Sequence, residues 1–360
     1  MRLLVSGGGT AGHVYPALAL LDGWSPAPTV CWVGSVGGME QQIVERQGLA
    51  FSAIPAGAVR GQGWRTVAVS AGKLAAGYRH ASAVLRAFRP DVVLTTGGYV
   101  TVSVAAAARR YRVPLVVFLP DVRPGFAVRA QAPLATRIAA AFDAALPALP
   151  AGRTVVTGYP VRPALFTTSA EDARGRLGLD LQLPVVLVYG GSRGARTLNE
   201  GLLTGLEALL ARSQVLHVSG TLDHEAVRAR TAALAGLHAG RYHLHAFLGD
   251  ALVDALVAAD LVITRAGAST LAELPAVGVP AIVVPGPFSD QDANADYLAG
   301  TGAALRLGND GARERLVPLA LELLDDAARR ERMAAASRAL ARPDAVGRLA
   351  GLLKSVARGS

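Results

Sequence analysis

Residues 7–13 read GGGTAGH, directly after the apolar run MRLLVS at residues 1–6 and before VYPALALL at residues 14–21. An apolar run, a glycine-rich turn and an apolar segment with Pro16 near its start predict a strand, a tight turn and a helix. In such a turn the backbone can approach a ligand closely, and the helix N-terminus favours an anion. The stretch therefore predicts the opening strand, turn and helix of a doubly wound α/β fold.

The glycines Gly7, Gly9 and Gly12 also satisfy the G-x-G-x-x-G spacing of dinucleotide-binding turns. A nicotinamide enzyme needs, in addition, an acidic residue about twenty positions on, at the end of the second strand, to hold the ribose hydroxyls. Here the second predicted strand, TVCWVGS at residues 29–35, ends in serine, and the nearest acid, Glu40, falls at the start of the next predicted helix. A dehydrogenase is therefore disfavoured, and the turn either binds another anionic ligand or has no ligand of its own.

The same pattern returns in the second half of the chain. PVVLVY at residues 184–189, GGSRGA at 190–195 and RTLNEGLLTGLEALL at 196–210 predict a strand, a glycine turn and one amphipathic helix. The later segments VLHVS, RYHLHAF, LVITR and PAIVVPG alternate with helical segments, which indicates a parallel sheet with crossover helices. The sequence therefore predicts an α/β protein of two doubly wound, Rossmann-like domains that face each other across a cleft, with ligands at the carboxyl ends of the strands.

The boundary between the two predicted domains falls in TVVTGYPVRPALF, residues 154–166, where two prolines interrupt the periodicity. We expect an N-terminal domain over residues 1–158 and a C-terminal domain over residues 159–342. Residues 343–360 are expected to form a C-terminal helix that could return to the N-terminal domain.

Composition narrows the class of protein. With 360 residues and 51% hydrophobic residues the chain can bury a large core. The only cysteine, Cys31, lies in a predicted strand, so a disulfide framework and a cysteine-based metal site are excluded, as is typical of cytoplasmic proteins. The opening apolar run is too short for a signal peptide, and the uncharged stretch 92–108 predicts a strand, a turn and a helix, not a membrane span.

The net charge of +9 lies entirely in the first half, because residues 1–159 hold fifteen Arg or Lys and six Asp or Glu. This imbalance indicates an anionic partner: a nucleic acid, an anionic membrane surface or an anionic substrate. No nucleic-acid recognition motif accompanies the charge, so a nucleic-acid partner is not expected. In residues 73–89 an apolar stripe predicts either an interfacial membrane helix or a helix packed on the sheet. The stripe is Leu74, Tyr78, Ala81, Leu85 and Phe88, flanked by Lys73, Arg79, Arg86 and Arg89.

The stretch TRAGASTLAELPAVGVPAIVVPGPFSDQDANADYL, residues 264–298, resembles the nucleotide-sugar signature of the two-domain GT-B glycosyltransferases. The resemblance extends through most of the chain to the family that transfers N-acetylglucosamine from UDP-GlcNAc to the undecaprenyl-linked muramyl-pentapeptide of peptidoglycan synthesis. The other motifs that carry it are GGTAGHVYPALAL, GGMEQQIVERQG, TTGGYVT, GYPVR and GGSRGARTLNE. It implies an inverting enzyme without cofactor, peripheral on the cytoplasmic face of the membrane, whose partners are UDP-GlcNAc and a polyprenyl-diphosphate-linked acceptor.

The resemblance also implies a set of donor-binding residues. Ala268, Ser269 and Thr270 would receive the diphosphate at a helix N-terminus, where backbone N–H groups favour anions. Glu273 would hold the ribose hydroxyls, although an acid in a first helical turn is also favourable without any ligand. The remaining donor positions are Ser192 for the diphosphate, Arg162 for the diphosphate or sugar, Phe247 and Leu248 for uracil, and Gln291 and Asn294 for the sugar hydroxyls. The last two have loop or capping chemistry as their alternative.

On the acceptor side the resemblance places one histidine in a catalytic position. Transfer with inversion needs an acceptor hydroxyl that loses its proton as it attacks, and imidazole titrates near neutral pH, so His13 at the helix start is the candidate general base. Its alternative role is to bond the acceptor diphosphate or cap its turn. The other acceptor-side candidates are Thr10, Ala11, Gly12, Tyr99 and Asp121.

No metal site is predicted. Asp290 and Asp292 imitate a D-x-D metal motif but fall inside the glutamine-bearing loop of the signature. His243 and His245 share one face of a predicted strand, yet no carboxylate or cysteine pattern accompanies them, so packing or surface placement is favoured.

Several positions depart from the family pattern, most of all on the acceptor side. Where the family carries H-E-Q-N, this chain reads FLPDVRPG at residues 118–125, with Asp121 at the asparagine position, and Val128 replaces a downstream asparagine. The smaller departures are Ala11, Tyr159, Arg193 and Ala266. Another lipid or secondary-metabolite acceptor therefore stays an alternative, as do a UDP-GlcNAc epimerase and a non-catalytic protein that binds the sugar nucleotide.

Overall fold

A computed structural model of the chain describes residues 1–57, 64–191, 194–238, 240–287 and 291–357. The chain divides into two compact units. Unit 1 comprises Met1–Val161 together with Asp344–Ser360, and unit 2 comprises Arg162–Pro343.

Unit 1 is built on one parallel sheet. Its seven strands are β1 (Arg2–Ser6), β2 (Thr29–Ser35), β3 (Ala50–Ile54), β4 (Val92–Thr95), β5 (Leu115–Leu119), β6 (Arg137–Ala140) and β7 (Thr154–Val156). The spatial order is β3-β2-β1-β4-β5-β6-β7, and every pair is parallel. The strand order reverses between β1 and β4, so the loops that follow these two strands adjoin at the carboxyl edge of the sheet, where doubly wound proteins bind ligands.

Helices connect the strands of unit 1. They are α1 (Tyr15–Asp22), α2 (Glu40–Arg46), α3 (Trp64–Phe88), α4 (Val100–Arg110) and α5 (Phe126–Gln131). The predicted strand, turn and helix at the start of the chain are confirmed, as is the strand, turn and helix over residues 92–108. Glu40 is the first residue of α2, as predicted.

The apolar stripe of α3 belongs to the core of unit 1. Ala81 and Leu85 are buried in the hydrophobic cluster beneath the sheet, and Tyr78 and Phe88 pack against it. The carbonyl oxygen of Leu74 accepts a hydrogen bond from the hydroxyl of Ser103 on α4, 3.2 Å away. Of the two roles predicted for the stripe, packing is therefore confirmed for these four side chains, and the interfacial role stays a prediction.

Unit 2 repeats the architecture with six strands. They are β8 (Val185–Tyr189), β9 (Gln214–Val218), β10 (Tyr242–His245), β11 (Leu261–Thr264), β12 (Ala281–Val283) and β13 (Ala304–Arg306). The order is β10-β9-β8-β11-β12-β13, again all parallel. Here the order reverses between β8 and β11, which brings the loops after these strands together at the carboxyl edge.

The helices of unit 2 include one that differs from the prediction. They are α6 (Ala164–Thr167), α7 (Ala170–Leu177), α8 (Arg196–Leu203), α9 (Leu206–Leu210), α10 (His224–Leu237), α11 (Leu252–Ala258), α12 (Thr270–Val277), α13 (Gln291–Gly300), α14 (Asn309–Asp325) and α15 (Ala327–Ala339). The single helix predicted over residues 196–210 is wrong, because α8 and α9 are separated at Thr204 and Gly205. Gly205 lies against the side chain of Val317, and its non-helical backbone, with φ −146° and ψ 24°, separates the two helices.

The last helix, α16 (Ala345–Val356), packs against α1 in unit 1. Gly23, at the end of α1, lies against Val346, and the ammonium group of Lys354 lies 5.6 Å from the centre of the Trp24 ring. Within the described ranges, no helix has the length and apolarity needed to cross a bilayer.

Candidate active site

The first glycine turn holds His13 at the carboxyl edge of unit 1. His13 is half-buried and ends a short 3-10 turn over Ala11–His13, so it precedes α1 instead of lying within it. Its Nδ1 lies 2.9 Å from the carbonyl oxygen of Gly8 and 3.3 Å from Oγ1 of Thr10. Its own carbonyl oxygen accepts a short hydrogen bond from the hydroxyl of Thr96, in the loop after β4. The histidine is thus held through both its ring and its backbone.

Two glycines make this close arrangement possible. A Cβ atom on Gly97 would lie 2.6 Å from Cδ2 of the His13 ring, and one on Gly8 would lie 2.3 Å from Oε1 of Glu40. Real Cβ atoms do not approach other atoms so closely, so any side chain at either position would displace His13 or Glu40. Glycine at positions 8 and 97 is therefore explained by close packing against the side chains of Glu40 and His13.

Glu40 is fully buried behind the glycine turn. Its Oε2 accepts a hydrogen bond of 3.2 Å from the backbone N–H of Gly9, and its Oε1 accepts one of 2.7 Å from the backbone N–H of Ser35. Because both oxygens of this carboxylate accept backbone N–H groups, the carboxylate cannot hold a ribose. This agrees with the argument against a dehydrogenase.

The other acceptor-side candidates surround the same turn. Thr10 is exposed, and the carbonyl oxygen of Gly12 accepts a hydrogen bond of 3.3 Å from the hydroxyl of Tyr159. Tyr99 directly precedes α4, and its ring centre lies 6.2 Å from that of the exposed Phe126. Of Ala11, the structure describes the backbone only.

Asp121 lies in the turn that follows β5 and is half-buried. It comes from the strand next to β4 in the sheet, so its turn leaves the same carboxyl edge as the first glycine turn. Val128 is buried in the core through α5 and offers no polar group. The acceptor edge of unit 1 thus has the acid predicted at residue 121, without the other members of the family's polar run.

The start of α12 forms the candidate donor site in unit 2. Ser269 precedes the helix, Thr270 opens it, and Glu273 lies one turn further on. The hydroxyl of Ser269 donates a hydrogen bond to the carboxylate of Glu273, and the positive charge of Arg162 acts on the same carboxylate. Arg162 also pairs with the exposed Asp250, with 3.5 Å between Nη1 and Oδ1. A cation, a carboxylate and a helix N-terminus therefore meet at one place.

The carboxyl of Glu273 is desolvated although the residue is only half-buried. Burial raises its pKa, and the charge of Arg162 and the hydrogen bond from Ser269 partly offset the rise. Tyr189, at the end of β8, is buried beside it: burial raises the pKa of its hydroxyl, and the negative charge of Glu273 raises it further. The two acidic groups thus lie close together at the switch point of the second sheet.

Two buried side chains hold the turn between β11 and α12 in place. The amide Nδ2 of Asn294, which is fully buried, donates to the carbonyl oxygen of Ala266 at 3.1 Å. The guanidinium of Arg265 donates to the carbonyl oxygen of Pro285 at 3.0 Å and to Oδ1 of Asn309 at 2.7 Å. Asn294 therefore positions the turn from behind, which is the structural alternative predicted for it.

The remaining donor candidates are distributed as follows. Gln291 opens α13, and its Oε1 accepts a hydrogen bond of 2.7 Å from the backbone N–H of Gly286. Ala268 is half-buried in the turn before α12. Phe247, which is 51% exposed, and Leu248 follow β10 directly. Ser192 lies outside the described residues.

Two of the residues considered for a metal, Asp292 and His243, have other partners. Asp292 pairs with Arg306 at 2.5 Å, and Nε2 of His243 donates to the carbonyl oxygen of Gly240 at 3.1 Å. His245 is half-buried on the same strand, and Asp290 lies outside the described residues. In the part of the chain that the structure describes, no three His, Cys, Asp or Glu side chains form a group that could hold a metal ion.

The two halves of the chain match two parts of one protein family. Residues 3–140 match the model of the glycosyltransferase family 28 N-terminal domain, and residues 185–349 match that of its C-terminal domain. A protein of Roseiflexus sp. (strain RS-1), named UDP-N-acetylglucosamine--N-acetylmuramyl-(pentapeptide) pyrophosphoryl-undecaprenol N-acetylglucosamine transferase, is 39% identical over 99% of this chain and 95% of its own. The chain belongs to glycosyltransferase family 28.

Solved structures agree with membership of family 28. MurG of Acinetobacter baumannii is similar with a TM-score of 0.76 and 26% identity, over 98% of this chain and 99% of that one. The UDP-GlcNAc 2-epimerase of Neisseria meningitidis bound to UDP-GlcNAc has a TM-score of 0.68 at 16% identity, over 99% of this chain and 100% of that one, a likeness of fold alone. The predicted fold class, GT-B with two doubly wound units, and the predicted family are confirmed.

Sequence reasoning missed the roles of four residues that this family 28 member places around its two sites. Glu40, Thr96 and Tyr159 hold the first glycine turn, and Tyr189 lies beside Glu273. Glu40 and Tyr159 stand inside quoted motifs, so their positions were available as a signal. Their partners are backbone atoms of distant loops, which no spacing in the sequence reveals.

Proposed function

We propose that this chain transfers N-acetylglucosamine from UDP-GlcNAc to a lipid-linked muramyl-pentapeptide, with inversion at the anomeric carbon. The observation that carries the proposal is the meeting of Arg162, Glu273 and the start of α12 in unit 2, which offers the groups that a nucleoside diphosphate sugar needs. The acceptor follows from the relatives, since the Roseiflexus protein bears that acceptor in its name at 39% identity over nearly the whole chain.

In the proposed complex the donor binds at the start of α12. Backbone N–H groups at Ser269 and Thr270 and the guanidinium of Arg162 stabilise the diphosphate, whose negative charge grows as UDP leaves. The carboxylate of Glu273 accepts hydrogen bonds from the two ribose hydroxyls. Phe247, Leu248, Ala268, Ser192 and Gln291 complete the donor site, and Asn294 holds its turn.

In unit 1, His13 acts as the general base. Its Nδ1 faces the carbonyl oxygen of Gly8, so the other ring nitrogen, Nε2, is left to accept the proton of the acceptor hydroxyl. The hydroxyl oxygen forms a bond to the anomeric carbon as the bond from that carbon to the UDP oxygen breaks. The proton ends on His13 and the electron pair of the broken bond leaves with UDP.

The acceptor is held at the carboxyl edge of unit 1. The backbone N–H groups of Thr10, Ala11 and Gly12 bind the lipid diphosphate, and Tyr99 and Asp121 contact the sugar or peptide. Asp121, in place of the asparagine of the family pattern, offers an acceptor oxygen and no amide donor, so it prefers a hydroxyl or an ammonium group as its partner.

A polyprenyl acceptor stays in the bilayer, so the chain must work at the cytoplasmic surface of the membrane. The surplus positive charge of residues 1–159 supports docking on an anionic surface. Since Ala81 and Leu85 of the α3 stripe are buried and Tyr78 and Phe88 pack on the core, we attribute docking to the positive charge.

The proposal is tested by measuring UDP release from several UDP-sugars, with and without the lipid-linked muramyl-pentapeptide. We expect release from UDP-GlcNAc that depends on the lipid acceptor. Conversion of UDP-GlcNAc to an epimer without acceptor would instead establish an epimerase. Binding of UDP-GlcNAc without turnover of any acceptor would establish a non-catalytic binding protein.

A further inference from the structure

The peptide group that joins Gly8 to Gly9 is hydrogen-bonded on both sides. Its carbonyl oxygen lies 2.9 Å from Nδ1 of His13, and its N–H, which belongs to Gly9, donates to Oε2 of Glu40 at 3.2 Å. A carboxylate, one peptide group and an imidazole therefore form a continuous chain of hydrogen bonds. None of the sequence motifs predicted this link, because Glu40 lies at the start of α2 and not in the glycine turn.

The carbonyl group fixes the proton on the histidine ring. A carbonyl oxygen can only accept, so Nδ1 of His13 must carry the hydrogen and donate it to Gly8. The neutral ring then has its lone pair at Nε2. The ring lies over Gly97, whose missing side chain leaves room for it.

The position of Glu40 makes its charge effective. The carboxylate is fully buried, and its second oxygen accepts the backbone N–H of Ser35 at 2.7 Å, so it is oriented from both loops. In a dry environment, hydrogen bonds in series polarise one another. Negative charge at the Gly9 N–H makes the Gly8 oxygen a stronger acceptor, and a stronger acceptor both orients the imidazole and stabilises the imidazolium that forms when His13 takes a proton.

We propose that Glu40 is a positioning residue for His13 that acts through the Gly8–Gly9 peptide group. The arrangement does what a carboxylate bound directly to a catalytic histidine does, with one peptide group interposed. This inference rests on the proposed function, in which His13 is the general base. It gives Glu40, the buried acid that follows β2, a role in positioning His13. A dehydrogenase would use an acid in that region to bind the ribose.

The first test reads the histidine ring without any reaction. In the protein labelled with ¹⁵N-histidine, and with the His13 signals assigned from their loss in His13→Asn, we expect the Nδ1–H tautomer and a strongly hydrogen-bonded Nδ1 proton. In Glu40→Gln that proton should move upfield. Glu45→Gln, which changes an exposed acid on the same helix, should leave it unchanged. An Nε2–H tautomer in the unaltered protein would overturn the relay, even if Glu40→Gln does not fold.

The second test uses kinetics. Glu40→Gln should lower kcat by about 10- to 100-fold, a fraction of the usual gain from a general base, with the KM for UDP-GlcNAc changed less than about twofold. In a His13→Asn background the same change should cost less than about twofold, because the residue through which it acts is gone. An equal loss in both backgrounds would reduce Glu40 to a purely structural role. A protein without acceptor-dependent UDP release would refute the proposed function, while the tautomer test would still decide the relay.

Discussion

Two glutamates have opposite roles in this chain. Each lies in the first helical turn of a helix that follows a glycine-containing loop. Glu40 is fully buried and both its oxygens accept backbone N–H groups. Glu273 is half-buried, its carboxyl is desolvated, and the groups acting on it are the side chains of Arg162 and Ser269. The carboxylate of Glu40, which accepts only backbone N–H groups, supports a loop. The carboxylate of Glu273 faces side chains at the switch point of the sheet, and it can exchange these partners for a ligand.

The raised pKa of Glu273 predicts a stability cost at neutral pH. An acid whose folded-state pKa is raised binds its proton more tightly when folded, so ionisation costs stability. The cost is absent below the ordinary carboxyl pKa and complete above the raised one. We expect Glu273→Gln to raise Tm at pH 7, with the difference vanishing as the pH falls below the ordinary carboxyl range.

The same Glu273→Gln variant should lose about 1.5 to 3 kcal/mol of UDP-GlcNAc binding in calorimetry, the usual value of a charged hydrogen bond. Glu314→Gln, which changes an exposed acid on α14, is the control. Unchanged donor affinity in Glu273→Gln would remove this residue from the site.

His13 predicts a separation of chemistry from binding. If His13 is the base, His13→Ala should lower kcat by about two to four orders of magnitude, with donor affinity little changed. His13→Asn keeps a hydrogen-bonding group but no basicity, so it should be as slow as the alanine variant. If His13 only held the acceptor diphosphate, the loss would appear in the acceptor KM and His13→Asn would recover much of it.

At the scale of elements, the sequence predicts the strands, turns and helices that depend on local residue patterns. The strand, turn and helix units opening at residues 1 and 184 are confirmed because apolar runs, glycines and helix periodicity coincide there. The break at Gly205 was not predictable, since it depends on Val317, more than a hundred residues away. The candidate site follows the same division: His13 and Glu273 stand in motifs, whereas the partners of Glu40 and Asn294 depend on tertiary contacts.

The surplus positive charge of residues 1–159, together with the packing of the α3 stripe on the core, predicts membrane docking through charge. Vesicles with anionic lipid should bind the chain at about 0.1 M salt and release it near 1 M, where the screening length falls to about 3 Å. Removing exposed arginines that follow β5 at the carboxyl edge of unit 1, in Arg123→Gln with Arg129→Gln, should weaken binding about tenfold or more. The matched change in unit 2, Arg315→Gln with Arg332→Gln, should have little effect. Binding to neutral vesicles that resists salt would contradict docking by charge.

At the scale of the whole molecule, the stability of unit 1 depends on the end of the chain. Leu349 and Leu353 of α16 are buried, so Leu353→Ala should cost about 2 to 5 kcal/mol. All three tryptophans, Trp24, Trp32 and Trp64, belong to unit 1, so their fluorescence in urea reports on this unit. UDP-GlcNAc binding at low urea should stay unchanged in Leu353→Ala. A fluorescence midpoint equal to that of the unaltered protein would contradict the dependence on α16.

The last helix, α16, packs on α1, so both ends of the chain belong to unit 1. In the sequence, the whole of unit 2 therefore lies between two segments of unit 1. A ribosome releases residues in order, so Arg162–Pro343 emerge after the seven strands of unit 1 and before the helix that covers Trp24. Unit 2, second in sequence, is therefore the first to have all its packing partners outside the exit tunnel. The face of α1 that α16 covers therefore stays exposed in unit 1 until unit 2 has been synthesised.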